Sequence, residues 1–181
     1  MDPVNSDDRR LRFEAVAPAV IDAVRRFLAR RTDPATADDV LQETLLVCWR
    51  RFDEMPDEAV VPWAYGVARN CLANAERSRR RQGRLLTRIW RLDRPAAVSA
   101  EPGLPDHDLA TAMRSLRAAD AELLRLWAWE ELSPSAIAVV LGVSANAASI
   151  RLHRARQKLR DELRKAGAAA GHEESTQGSR P

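Results

Sequence analysis

The residues best suited to reading duplex DNA fall in one short segment: Asn146, Ser149, Ile150, Arg151, His153, Arg154 and Arg156. Arginine can grip guanine through two hydrogen bonds, and asparagine can do the same with adenine. Further cations hold phosphates, which position a protein without reading sequence. Ser149 is short enough to permit close approach, and Ile150 can touch a thymine methyl. An ordinary helical hairpin with a basic surface would use the same residue types, so the elements around them must decide.

Those elements have the pattern of a helix-turn-helix. Ser133 opens a short helix carrying Ile137, Val140 and Leu141, Gly142 supplies a tight turn, and Ser144 caps a longer helix. In that last helix Ala148, Leu152, Ala155 and Leu159 recur at spacings of four, three and four, which predicts a buried stripe. The seven candidate residues then point outward. Ala138 is small enough for two helices to cross closely. Upstream, Leu109, Met113 and Leu116 mark one helix, and Leu123, Leu124 and Trp127 mark another.

The N-terminal half is helical too. Residues 1–10 read as a polar, frayed end. From Leu11, Phe13, Val16, Val20, Val24 and Phe27 form one apolar stripe, with Pro18 marking either its true start or a kink. Thr36 is the expected N-cap of a second helix, which places Asp38 and Asp39 in its first turn and runs to about Arg51. Asp38, Asp39, Gln42 and Glu43 crowd its outer side. A loop with Pro56 and Pro62 follows, and a third helix runs from Pro62 to about Arg81. Trp63, Val67, Cys71 and Ala75 share one face of it, which predicts core packing for Trp63.

The 181 residues are 45% hydrophobic and 30% charged, enough to bury a core, and the wealth of Ala, Leu and Arg favours helices. Net charge is only +3, but its distribution is uneven. Between Asp33 and Glu58 stand eight acids and two bases; between Arg77 and Arg94, eight arginines and one acid; between Arg151 and Lys165, seven bases and two acids. Two basic blocks suggest two contacts with a polyanion. Cys48 and Cys71 fall in apolar helical patterns and read as reduced core residues. His107, His153 and His172 are scattered, and no CxxC or HExxH spacing occurs, so neither a metal nor a cofactor is expected. No apolar run approaches the roughly 20 residues needed to span a bilayer. The expected chain is cytoplasmic, without membrane insertion.

The fold class expected is all-α: two small helical domains, at residues 11–92 and 109–166, joined by a flexible Pro-rich linker at 93–108 and followed by a disordered tail at 167–181.

Three stretches together resemble extracytoplasmic-function sigma factors, members of the sigma-70 family. Ala37-Asp38-Asp39-Val40-Leu41-Gln42-Glu43-Thr44-Leu45 with Cys48-Trp49-Arg50 resembles their region 2.2. Trp63-Ala64-Tyr65-Gly66-Val67-Ala68-Arg69-Asn70 with Arg77-Ser78-Arg79-Arg80-Arg81 is similar to regions 2.3 and 2.4. Leu132 to Ala138, Leu141 to Ser144 and Arg151 to Arg156 resemble region 4.2. The likeness spans roughly residues 11–165, with the motifs in the family's order.

The resemblance implies a non-enzymatic subunit that directs core RNA polymerase to promoters and assists melting. It assigns docking on the core polymerase to Asp38, Asp39, Gln42 and Glu43. It assigns the melted minus-ten element to Arg69, Asn70, Arg77, Arg79, Arg80 and Arg81, with a flipped base read by the 52–61 loop and Asn70. Trp63 and Tyr65 are open between base stacking and core. The seven residues of the last helix take the minus-thirty-five duplex. Promoter DNA and an anti-sigma factor are the further implied partners. The chain departs from the family at Asn74, where an acid is usual, in the acidic loop Asp53 to Glu58, at Leu116-Arg117 in place of Leu-Pro, and at Ala147-Ala148-Ser149-Ile150 in place of Thr-Val-Lys-Ser. The last change removes a phosphate-binding lysine. A free-standing helix-turn-helix regulator is the alternative; it predicts a dimer on a palindrome, and no obvious dimerisation helix is left over. A nucleic-acid-modifying enzyme would need a metal-binding carboxylate cluster or an activated nucleophile, and neither pattern is present.

Overall fold

A computed structural model describes residues 3–89 and 107–174, with side chains over 7–82 and 108–165. Among the described residues every regular element is helical: α1 (Pro3–Ala29), α2 (Pro34–Arg50), two 3-10 turns (Phe52–Glu54 and Asp57–Ala59), α3 (Val60–Ile89), α4 (His107–Ser115), α5 (Ala118–Ala128), α6 (Pro134–Leu141) and α7 (Ala145–Glu174). The chain divides into two compact units. The expected all-α, two-part architecture is what is observed, and no single described helix is long and apolar enough to cross a membrane.

In the first unit α1, α2 and α3 pack on one another. Val20, Val24, Phe27 and Leu28 of α1, Val40 and Cys48 of α2, and Ala64 and Ala68 of α3 are buried at its centre. Thr44 is fully buried as well, and its hydroxyl donates to the Val40 carbonyl at 2.7 Å, which removes the cost of an unpaired polar group. Tyr65 is core: its ring stacks on Phe27 with centroids 5.0 Å apart. Of the two roles open to Tyr65, this structure has it in the core, with a ring face taken by Phe27. Trp63 is half-buried and not the core residue the face pattern predicts; the Arg51 guanidinium lies 5.6 Å over its ring. The buried line of α3 runs through Ala64, Ala68 and Leu72, with Val67 and Cys71 beside it.

Several boundaries differ from expectation. The polar N-terminus is not frayed from Pro3 onward, and α1 runs unbroken through Pro18. Arg9 ties it down. That side chain donates to the Trp49 carbonyl at 2.5 Å, pairs with Asp53 at 3.2 Å and stacks over the Trp49 ring at 4.5 Å. Phe13 meets Trp49 and Phe52 edge-on, at 5.2 and 5.4 Å. The cap of α2 is Asp33, not Thr36: Asp33 accepts from the Thr36 amide at 3.0 Å and from its hydroxyl at 2.8 Å. Pro34 takes the first helical position, where its missing N–H costs nothing. Asp38 and Asp39 consequently lie beyond the first turn. The loop after α2 is partly ordered by the two 3-10 turns, which bury Phe52 and Met55, and α3 begins at Val60 and ends at Ile89.

In the second unit α7 packs along α4 and α5, burying Ala112, Met113, Ala121, Leu123, Leu124 and Leu126 with Ala148, Leu152 and Ala155. Leu159 is half-buried. α4 starts at His107, two residues inside the expected linker; the linker positions before it lie outside the described residues. α7 continues to Glu174, past Gly167, where composition predicts a disordered tail; the alanine run at 168–170 is strongly helix-forming. Residues 175–181 lie outside the described residues. Trp127 faces solvent, 39% exposed, while its neighbour Leu126 is fully buried.

Candidate nucleic-acid and protein interfaces

The turn between α6 and α7 is built as its residue types require. Ser133 and Ser144 accept from the amides of Ala136 and Ala147, each at 3.2 Å, capping both helices. Gly142 has φ +63°, the left-handed conformation that glycine takes without strain. The Val143 amide closes the turn on the Ala138 carbonyl at 3.1 Å. The two helices bend by 105°, inside the range of DNA-reading hairpins.

All seven sequence-predicted residues of α7 are exposed: Asn146, Ser149, Ile150, Arg151, His153, Arg154 and Arg156. At about 100° per residue, Asn146, Ile150, His153 and Arg154 point most directly away from the buried line. Arg151 and Ser149 with Arg156 lie on its two flanks. Cations further along α7 are engaged within the unit. Lys158 pairs with Asp120 at 2.5 Å, Arg160 donates to Gln157, Arg164 pairs with Asp161, and Lys165 pairs with Glu162 at 2.7 Å. Arg156 is held differently, its guanidinium 4.5 Å over the ring of Trp127. The sequence marks Trp127 only as part of a helical pattern and gives no sign of this contact.

On α3, Arg69, Asn70, Arg77, Arg79, Arg80 and Arg81 are all exposed. Helical periodicity gathers five of them, all but Arg79, within an arc of about 120°. Arg79 points roughly opposite Asn70 and pairs with Asp33 of α2 at 3.4 Å. Arg77 is steadied by Asn74 Oδ1 at 2.5 Å and the Ala73 carbonyl at 3.2 Å, and Arg80 by Glu76 at 3.6 Å. Asn74, the departure from the family pattern, thus orients Arg77 without neutralising it.

On α2, Asp38, Asp39, Gln42 and Glu43 are exposed on one arc. Along the same face stands Leu46, 55% exposed, three residues past Glu43 and four past Gln42. The apolar pattern does not reveal Leu46, because Leu41 and Leu45 beside it already satisfy the stripe. Leu46 is thus a large exposed apolar side chain one turn beyond the acids and the amide. The Asp33 carboxyl at the head of α2 is held down at about 2, first by the Thr36 amide, then by the Thr36 hydroxyl, with Arg79 a lesser cause. Burial drives the Cys48 thiol up to about 12, and Cys71 is raised by burial and then by Glu43. Among the described residues no group of His, Cys, Asp and Glu could hold a metal.

Comparison with known proteins gives one answer. Residues 12–82 match the family model for sigma-70 region 2, and residues 106–159 match that for sigma-70 region 4. The RNA polymerase sigma-E factor of Streptomyces avermitilis is 32% identical over 167 residues, covering 84% of this chain and 86% of the relative. The ECF RNA polymerase sigma factor SigL of Mycobacterium tuberculosis is 29% identical over 153 residues, covering 78% and 83%. In fold, the chain resembles the sigma factor RpoE of Bartonella quintana, solved in complex with the anti-sigma factor NepR. The TM-score is 0.54 at 23% identity, covering 87% of this chain and 97% of that one.

Proposed function

The chain belongs to the sigma-70 family as an RNA polymerase sigma factor of the extracytoplasmic-function type, and from that premise we propose that its three exposed faces divide the work of promoter recognition. As a sigma factor it directs core RNA polymerase to specific promoters and assists melting; the residue roles are our assignment.

The α2 arc of Asp38, Asp39, Gln42 and Glu43, with Leu46 one turn beyond it, docks on the core polymerase. The carboxylates steer the encounter toward a basic surface, and Leu46 supplies the apolar contact that slows dissociation. The outward face of α7 reads the minus-thirty-five element as duplex, with Asn146, Ser149 and Ile150 near bases and Arg151, His153, Arg154 and Arg156 toward phosphates. Opening the minus-ten element costs a few kcal/mol per unstacked base. The α3 arc of Arg69, Asn70, Arg77, Arg80 and Arg81 offsets that cost by holding the melted strand, with half-buried Trp63 as the aromatic available for stacking. Arg79 contributes less, because it lies across the helix from this arc, against Asp33. The polymerase does all bond-making, so the chain is no enzyme and works in the cytoplasm beside the chromosome. An anti-sigma partner that covers these faces is proposed by analogy with the Bartonella complex.

The observation that carries the reading is the exposed acidic arc beside Leu46 within the region 2 match. Purified core polymerase should bind the wild-type chain tightly and bind an Asp39→Arg/Glu43→Arg double variant at least tenfold more weakly. Equal binding by both would overturn the docking assignment.

A further inference from the structure

Trp127 is a large aromatic side chain left 39% exposed on α5, in a unit that buries its neighbours Leu123, Leu124 and Leu126. Core packing therefore does not explain its position. What it touches is Arg156, whose guanidinium stands 4.5 Å from the ring centroid. Arg156 lies twelve residues past the Ser144 cap, about 18 Å along the axis. That is too far along for a helix entering the groove by its N-terminus to bring it to base edges, and far enough to meet the backbone. A phosphate is its natural partner.

The manner of holding matters. Lys158, Arg164 and Lys165 are each met by a carboxylate, which fixes the cation but cancels its charge. An aromatic face engages the flat π-surface of a guanidinium and leaves its in-plane N–H donors pointing outward with the charge intact. We propose that Trp127 is a positioning residue for DNA binding: it aims the Arg156 guanidinium at a phosphate flanking the minus-thirty-five element. The inference rests on α7 being the duplex-reading helix. Trp127 acts through Arg156 and makes no DNA contact of its own.

The test uses the full-length chain bound to core polymerase and a promoter duplex selected by that holoenzyme from a random library. Trp127→Leu should weaken binding roughly 2- to 5-fold, the size of an exposed cation–π contact, and Trp127→Phe, which keeps an aromatic face, should restore most of it. Arg156→Ala should weaken binding further and lower the slope of log affinity against log salt by about 0.9, the value of one phosphate. In the Arg156→Ala background, Trp127→Leu should then add nothing. A Trp127→Leu effect that persists there, or wild-type affinity in Trp127→Leu itself, overturns the proposal. Arg154→Ala separates the two levels. If it and Arg156→Ala both bind as wild type, α7 is not the reading helix and the proposal falls with that assignment. If Arg154→Ala weakens binding while Trp127→Leu does not, only the Trp127 inference fails. Thermal melting of each variant identifies loss of fold, and the Phe variant then carries the test.

Discussion

Two thiols and one carboxyl show how strongly position sets side-chain chemistry in this chain. Cys48 and Cys71 are free and buried, and burial is the first cause of the upward shift in both, to about 12 for Cys48. The thiolate is the reactive form, so the native chain should resist iodoacetamide at mildly alkaline pH. Mass spectrometry should find both cysteines unlabelled in buffer and labelled in denaturant; rapid native labelling would contradict their place in the core. Asp33 behaves in the opposite sense. Its folded value, about 2, lies below its ordinary 3.8, so the charged form is stabilised by folding. That contribution is complete above the unfolded value and is lost as pH falls through the folded one. Asp33→Ala should lower the melting temperature at neutral pH, and the gap from wild type should narrow as pH falls from about 4 through about 2. A gap that stays constant with pH would mean that the carboxylate is not the cap.

Local signals made some elements legible and left others ambiguous. Ser133, Gly142 and Ser144 were readable because each acts within three residues of itself, through an amide it caps or a φ it permits. The Ala148, Leu152 and Ala155 stripe was readable because it fixes which way every other α7 side chain points. The start of α2 was not, since Asp33 and Thr36 are both good caps, and Pro34 decides between them by taking the first helical position. Trp63 and Tyr65 are ambiguous in the sequence for a related reason. One residue along a helix is about 100° of rotation, and the apolar pattern near each tolerates either neighbour as the buried one. Glu131, between α5 and α6, carries no sequence signal at all. Its φ is +54°, where a side chain costs roughly 1 kcal/mol or more and glycine does not. Glu131→Gly should therefore stabilise the chain by about 0.5–1 kcal/mol in urea denaturation, after the entropy glycine loses on folding. Ser144→Ala should cost about 1 kcal/mol in the same assay. If Glu131→Gly is neutral or destabilising, the left-handed residue is not a strained point.

At the scale of the molecule the net charge of +3 conceals a division of surfaces, acidic on α2 and basic on α3 and α7. Under the proposed assignment the acidic face of α2 serves a protein surface and the basic faces of α3 and α7 serve a polyanion. The contribution of each arginine then depends on its neighbours more than on its charge. Arg77, Arg80 and Arg81 share the Asn70 face of α3, whereas Arg79 lies across the helix against Asp33. Replacing Arg77, Arg80 and Arg81 together by alanine should slow open-complex formation by the holoenzyme. It should also reduce the salt dependence, by about 0.7 in the log–log slope for each single-strand phosphate left without its arginine, or roughly 2 for three. Arg79→Ala should leave that slope nearly unchanged and act instead on thermal stability, because it removes a partner of the α2 cap. Permanganate footprinting of promoter opening across a salt series separates the two outcomes. If Arg79→Ala changes the slope as much as Arg80→Ala does, the ion pair with Asp33 opens when DNA arrives, and all the exposed arginines of α3 act as one undivided basic surface.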